Sequence, residues 1–182
     1  MEESRPCYLD GSDSIVVERN LVHHVDWGTE TTGEKAGQNT TNITLRSNLF
    51  HSNKSAGIGI GGQGNPGGAS NITVVNNTFY NNDTSSAGNG TLSLGASISG
   101  YVTFKNNIVY TSSSGQTVTG QTSTSGLSFN YNLYYGGVSP FFEAHSLNKN
   151  PQLVNPKATP PNLDTQSTSP ARGPELTRGA RW

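Results

Sequence analysis

Four carboxylates and a lysine lie near the start of the sequence: Asp10, Asp26, Glu30, Glu34 and Lys35. They belong to a wider excess, because eight of the twelve acidic residues fall within the first 34 positions. Only Arg5 and Arg19 oppose them there, with Lys35 just beyond. Carboxylates grouped in this way can do two kinds of chemistry. Two of them flanking a bond, one with its pKa raised, can act as an acid and its partner. Glu30 with Asp10 or Glu34 would serve. Several together offer the oxygen ligands that a hard cation such as Ca²⁺ takes. Asp10, Asp26, Glu30 and Glu34 would then hold the ion, with Lys35 as a base. The plain alternative is a solvated acidic surface with no site. Which holds depends on whether the fold brings these residues to one face.

The element that must position them is a repeat. A short phrase recurs five times with an asparagine in the same place: Asn20, Asn48, Asn77, Asn107 and Asn132, spaced by 28, 29, 30 and 25 residues. A period of this size marks a stacked array. Two apolar residues precede each asparagine in alternation: Ile15/Val17, Ile43/Leu45, Ile72/Val74, Val102/Phe104 and Leu127/Phe129. Another follows it by two positions: Val22, Phe50, Phe79, Val109 and Tyr134. Period-two alternation predicts strands with one buried face. Two short strands therefore meet at an asparagine bend, and that residue type tolerates a left-handed backbone. Stacked amides would form a hydrogen-bonded ladder inside the wall.

A third strand is predicted between phrases, at Gly28–Thr31, Gly57–Ile60, Gly90–Leu94 and Gln116–Thr119. Three parallel strands in each coil of about thirty residues make an all-β parallel β-helix. At roughly 4.8 Å per rung, about five coils would rise on the order of 20–25 Å. The coils occupy residues 1–147, and a proline-rich closing segment, expected to run irregularly, occupies 148–182.

Register turns phase into columns. The outward column Val16, Thr44, Thr73, Thr103, Ser128 is nearly all threonine, a surface that ice-binding helices use. The next one, Glu18, Arg46, Val75, Lys105, Asn130, is irregular, which favours ordinary strand propensity instead. His23, His51, Tyr80, Tyr110 and Tyr135 form a ring column, suited to structural stacking or to contact with a ligand. His23 and His24 are adjacent on a strand, so their side chains are expected on opposite faces and not on one ligand.

The phrases Val17-Glu-Arg-Asn-Leu-Val-His23, Asn76-Asn-Thr-Phe-Tyr-Asn-Asn-Asp-Thr84 and Lys105-Asn-Asn-Ile-Val-Tyr110 resemble bacterial right-handed parallel β-helix repeat proteins, the pectate-lyase-like relatives. Asn150-Pro-Gln-Leu-Val-Asn-Pro156 with Ser169-Pro-Ala171 resembles their closing segment. The resemblance covers roughly residues 7–171 and is specific for fold. It implies a groove along the third strand, whose outward column here is Tyr8, Glu30, Gly59, Ser93. Tyr8, Gln63 and Ser93 would bind substrate, and Glu30, Asp10, Glu34 and Lys35 would carry the chemistry. An acidic polysaccharide is the implied partner, cleaved by a lyase using Ca²⁺ or by a hydrolase. The alternative is a non-catalytic sugar-binding or adhesin-like module. A secreted or cell-surface location of bacterial type follows from the same resemblance. In the lyases it resembles, ligands and base form a set across several coils, whereas here only two coils carry acids.

Composition narrows the rest. Only 31% of the chain is hydrophobic, with 22 glycines, so its core depends on apolar residues returning at fixed phase. A net charge of -1 gives no electrostatic footprint for nucleic acid. No stretch is apolar enough to span a membrane. Cys7 is the one cysteine and is expected to pack as a small hydrophobe. The abrupt start suggests a piece of a longer protein with upstream coils. A monomer is expected unless the first coil's open edge associates.

Overall fold

The structure, a computed structural model, describes residues 7–61, 67–111, 117–120, 125–137, 139–140, 142–143 and 145–172. The chain runs through β1 (Cys7–Asp10), β2 (Val16–Glu18), β3 (Leu21–His23), β4 (Trp27–Thr32), β5 (Asn39–Arg46), β6 (Leu49–His51), β7 (Ala56–Ile60), β8 (Gly68–Val75) and β9 (Thr78–Tyr80). It continues through β10 (Leu92–Leu94), β11 (Val102–Lys105), β12 (Ile108–Tyr110), β13 (Val118–Thr119), β14 (Leu127–Asn130), β15 (Leu133–Tyr135), β16 (Leu147–Asn148), β17 (Leu153–Asn155) and β18 (Asn162–Thr165). From β1 to β15, strands three apart pair in parallel. Sheet A is ordered β1-β4-β7-β10-β13, sheet B β2-β5-β8-β11-β14 and sheet C β3-β6-β9-β12-β15-β16. This is a parallel β-helix. Its five rungs are joined by four steps, so it makes about four turns rather than the five coils expected.

Phase becomes contact as the alternation requires. Ile43 lies beside Ile72, and Ile72 beside Val102. These residues, with Leu45, Val74 and Phe104, are almost fully buried. Each such side chain contributes about 1.5–3 kcal/mol through burial. An inner file of rings reinforces the column: Phe50 on Phe79, Phe79 on Phe104 and Phe104 on Phe129, with centroids 5.2, 5.9 and 5.1 Å apart. Cys7 packs at the edge of this core, and burial pushes its thiol up.

The asparagine ladder is present. Side-chain Nδ2 of each asparagine donates to Oδ1 of the next, at 3.1 Å for Asn20–Asn48, Asn48–Asn77 and Asn77–Asn107, and 3.0 Å for Asn107–Asn132. The bend itself differs from expectation. The left-handed residue is the one before the asparagine: Arg19, Ser47, Asn76, Asn106 and Tyr131, all with φ between 54° and 57°. The preceding residue turns the chain, which leaves the ladder asparagine free to aim its amide inward. A second, shorter ladder stands at the other end of sheet C. Asn53 Nδ2 donates to Asn82 Oδ1 at 2.9 Å, and Val25 N–H donates to Asn53 Oδ1 at 3.3 Å.

The two ends differ. At the C-terminal end, Glu143 Oε1 accepts from Asn132 N–H at 2.9 Å and from its Nδ2 at 3.0 Å. Glu143 Oε2 accepts from the Tyr134 hydroxyl at 2.7 Å. A buried carboxylate thus stands where a sixth asparagine oxygen would be. The closing segment is not wholly irregular: β16 extends sheet C, and β17 and β18 form an antiparallel pair. Ala171, in a short 3-10 turn, packs with Ile108, Leu133 and Leu147. At the other end β1, β2 and β3 are the edge strands, with Tyr8, Ile15, Val16 and Leu21 exposed. Among the described residues, no helix is long and apolar enough to cross a membrane.

Candidate functional site

Sheet A turns Leu9, Ile58, Ile60, Leu92 and Leu94 inward. Its outer face therefore carries the alternate residues, and the register aligns Tyr8 with Glu30, Glu30 with Gly59 and Gly59 with Ser93. These four line a groove of about 360 Å³, together with Trp27, Thr32, Glu34, Gly61, Asn89 and Gly95. The column read from the sequence is thus one wall of a real concavity. It crosses four rungs, from the edge strand β1 to β10.

Gly59 makes the floor. A β-carbon there would lie 3.0 Å from Cε3 and Cζ3 of Trp27, so the indole ring is seated over a residue that has no side chain. Trp27 and Tyr8 give the groove two aromatic surfaces flanking the acids. Glu30 stands among them. Burial, then the charges of Asp26 and Glu34, raise its carboxyl above the ordinary carboxylate range. The Tyr8 phenol is pushed up by burial, by its hydrogen bond to Glu34 and by the charges of Glu34, Asp10 and Glu30.

The other expected residues separate. Asp10 Oδ1 accepts the backbone N–H of Glu34 at 2.9 Å, so it fixes the loop that presents Glu34. Asp26 accepts from the Ser55 hydroxyl, one rung away. Lys35 is exposed in the loop after β4 and is not part of the lining. Gln63 lies outside the described residues. The Ca²⁺ set expected from Asp10, Asp26, Glu30 and Glu34 is not assembled in this conformation. Among the described residues, no three His, Cys, Asp or Glu side chains are placed to hold a metal together. The physical reason is that Asp10, at the end of β1, and Asp26, just before β4, lie at opposite ends of sheet A and are held there by their own hydrogen bonds.

Trp27 is the groove residue that sequence reasoning missed. It precedes the predicted strand by one position, and a signal existed: an aromatic beside a glycine column has room to lie flat. Asn89 comes from the loop before β10 and gave no such signal.

The ring column also forms as expected. His23 stacks on His51 at 4.8 Å, and Tyr80, Tyr110 and Tyr135 meet edge to face at 5.0 and 4.9 Å. The expected separation of His23 and His24 does not hold. Their Nδ1 atoms are 2.8 Å apart. His24 is the left-handed bend residue, with φ 56°, so the alternation of a strand ends before it and its ring turns back onto His23.

Comparison with family models, with curated proteins and with solved structures gave no match. Function must be read from this geometry.

Proposed function

We propose that the outer face of sheet A binds a polysaccharide, and that Glu30 acts on it as a general acid. The observation that carries this reading is a half-buried carboxyl with a raised pKa between two aromatic surfaces on a glycine floor. Aromatic faces suit the apolar faces of sugar rings, and a carboxyl that keeps its proton can give it to a glycosidic oxygen. The carbon–oxygen bond would break as that proton transfers. Water would then add at the sugar carbon, its proton passing to Glu34, the other carboxylate of the lining.

Among the described residues the lining carries two acids and no basic side chain. An uncharged glycan therefore fits it better than a uronate, which would need a cation between itself and the Glu34 carboxylate. A polysaccharide substrate also suits a secreted or surface protein. A second reading, a binding module without turnover, is favoured by the ties on Asp10 and Asp26, which use two of the acids structurally.

The test is incubation with neutral glycans, polygalacturonate and alginate, with Ca²⁺ or with EDTA. New reducing ends without Ca²⁺, abolished in E30Q, support the hydrolase. Unsaturated products that require Ca²⁺ would make it a lyase and overturn the role given to Glu30 as acid. Retention without turnover supports the binding module, and neither retention nor turnover sinks both readings.

A further inference from the structure

The histidine cluster lies on sheet C and its bend, away from the groove, and the proposed function makes no use of it. Three rings converge there. His23 and His51 lie parallel, with an interplanar angle of 4°, and His24 stands edge-on to both, with centroids 5.1 and 5.7 Å away. His51 is buried and forms the wall on which His23 rests. His23 and His24 are thus fixed relative to each other from two sides: a stacked neighbour holds one ring, and the left-handed bend holds the other.

We propose that His23 and His24 chelate a divalent transition metal through their two Nδ1 atoms, with a preference for Cu²⁺ and Ni²⁺ over Zn²⁺. The ligand type is right, because neutral imidazole suits this group of metals. The spacing makes the choice among them. Two nitrogens 2.8 Å apart subtend about 90° at a metal bound at about 2.0 Å, whereas a tetrahedral ion needs them about 3.3 Å apart. A right angle belongs to the square-planar or tetragonal sites of Cu²⁺ and Ni²⁺.

One Nδ1 carries the hydrogen of the present His23–His24 bond. On binding, that hydrogen moves to Nε2 of the same ring, so that both Nδ1 lone pairs face the ion. No electron is transferred. Since no three such side chains among the described residues are placed to share a metal, the site is a two-nitrogen chelate completed by water.

The test is titration of the full chain with CuCl₂, NiCl₂ and ZnCl₂ by calorimetry, with electron paramagnetic resonance of the Cu²⁺ form. One ion per chain and splitting from two nitrogens are expected. H24N is the informative variant. Asparagine tolerates the left-handed bend, and Asn81 adopts that conformation two coils on, with φ 50°. H24N should keep the wild-type circular dichroism and melting temperature. It should bind Cu²⁺ at least about tenfold more weakly, the lower bound for losing even an outer-shell partner. Unchanged affinity in H24N, a one-nitrogen spectrum, tighter binding of Zn²⁺ than of Ni²⁺, or no binding at millimolar metal would each overturn the proposal.

Discussion

Removing one rung of the ladder should cost far more in the middle of the stack than at its open end. Asn77 is 1% exposed and sits at the centre of five hydrogen bonds. Its Nδ2 donates to the Leu45 carbonyl at 2.9 Å, the Val75 carbonyl at 3.1 Å and Asn107 Oδ1 at 3.1 Å. Its Oδ1 accepts from Asn48 N–H at 2.9 Å and from Asn48 Nδ2 at 3.1 Å. In N77A the Asn48 N–H loses its partner in a wall that water does not reach, while the Leu45 carbonyl keeps its place in the β5–β8 ladder and Asn48 Nδ2 keeps its bond to Val17. Each stranded buried group costs about 1–3 kcal/mol, and the lost side chain leaves a cavity as well. The expected destabilisation is about 2–4 kcal/mol. Asn20 is exposed and its side chain makes two bonds, to the Glu18 carbonyl and to Asn48 Oδ1. Asn48 Oδ1 still accepts from the Asn20 N–H when that side chain is gone, so N20A should cost less than about 1 kcal/mol. Urea unfolding followed by circular dichroism measures both, with equal slopes required for the comparison. If N77A and N20A fall within about 1 kcal/mol of each other, the ladder does not hold the wall together as described.

Three further outcomes follow from particular residues. Glu143 ends the ladder through oxygens that only accept, so E143Q, which keeps an oxygen for Asn132 and can donate to Tyr134, should unfold within about 1 kcal/mol of the wild type, whereas E143A should lose about 2–4 kcal/mol in the same urea assay. Glu30 has a folded pKa raised above its ordinary value of 4.5, so its contribution to stability is fully present below pH 4.5 and falls as pH rises through the folded value. E30Q, uncharged throughout, should therefore melt higher than wild type at pH 7 and equal to it at pH 4, and an equal gain at both would contradict the assignment. Gly59 has an ordinary backbone and leaves the floor to Trp27; G59V should reduce glycan retention about tenfold or more by filling that floor, a loss worth about 1.4 kcal/mol of binding, while affinity electrophoresis showing unchanged retention would place the glycan elsewhere.

The scaffold was legible because it depends on repetition. Ile43, Ile72 and Val102 are neighbours in space only if their spacing equals one coil, and each inward position repeats the same demand for an apolar side chain. The column Tyr8, Glu30, Gly59, Ser93 was legible for the same reason, since register carries outward residues along with inward ones. What phase could not give was loop geometry. Asp10 looked like a ligand and is held by the Glu34 N–H, a contact made after the strands end. His24 looked as if it faced away from His23, but the strand stops at His23 and a left-handed residue reverses the next side chain. Glu143 lies outside the repeat, and nothing in its neighbours' spacing marked it as the acceptor that completes the ladder.

The two faces of each strand answer to different demands, and this accounts for where a site can arise. Inward columns must stay apolar or bonded to their like, because each member packs on the one above and below; the run Ile43, Ile72, Val102 and the five asparagines are examples. Outward columns meet solvent, so they can change from rung to rung without disturbing the stack. The sheet A column does change, from tyrosine to glutamate to glycine to serine, and its irregularity makes the groove: a bulky wall, an acid, a floor that seats the Trp27 ring and a hydroxyl in four successive rungs. On sheet C the column likewise changes, from His23 and His51 to Tyr80, while the inward neighbours Val22, Phe50 and Phe79 stay in register. On a solenoid of this kind, chemistry is to be sought where an outward column breaks its own pattern, and both candidate sites of this chain lie at such breaks.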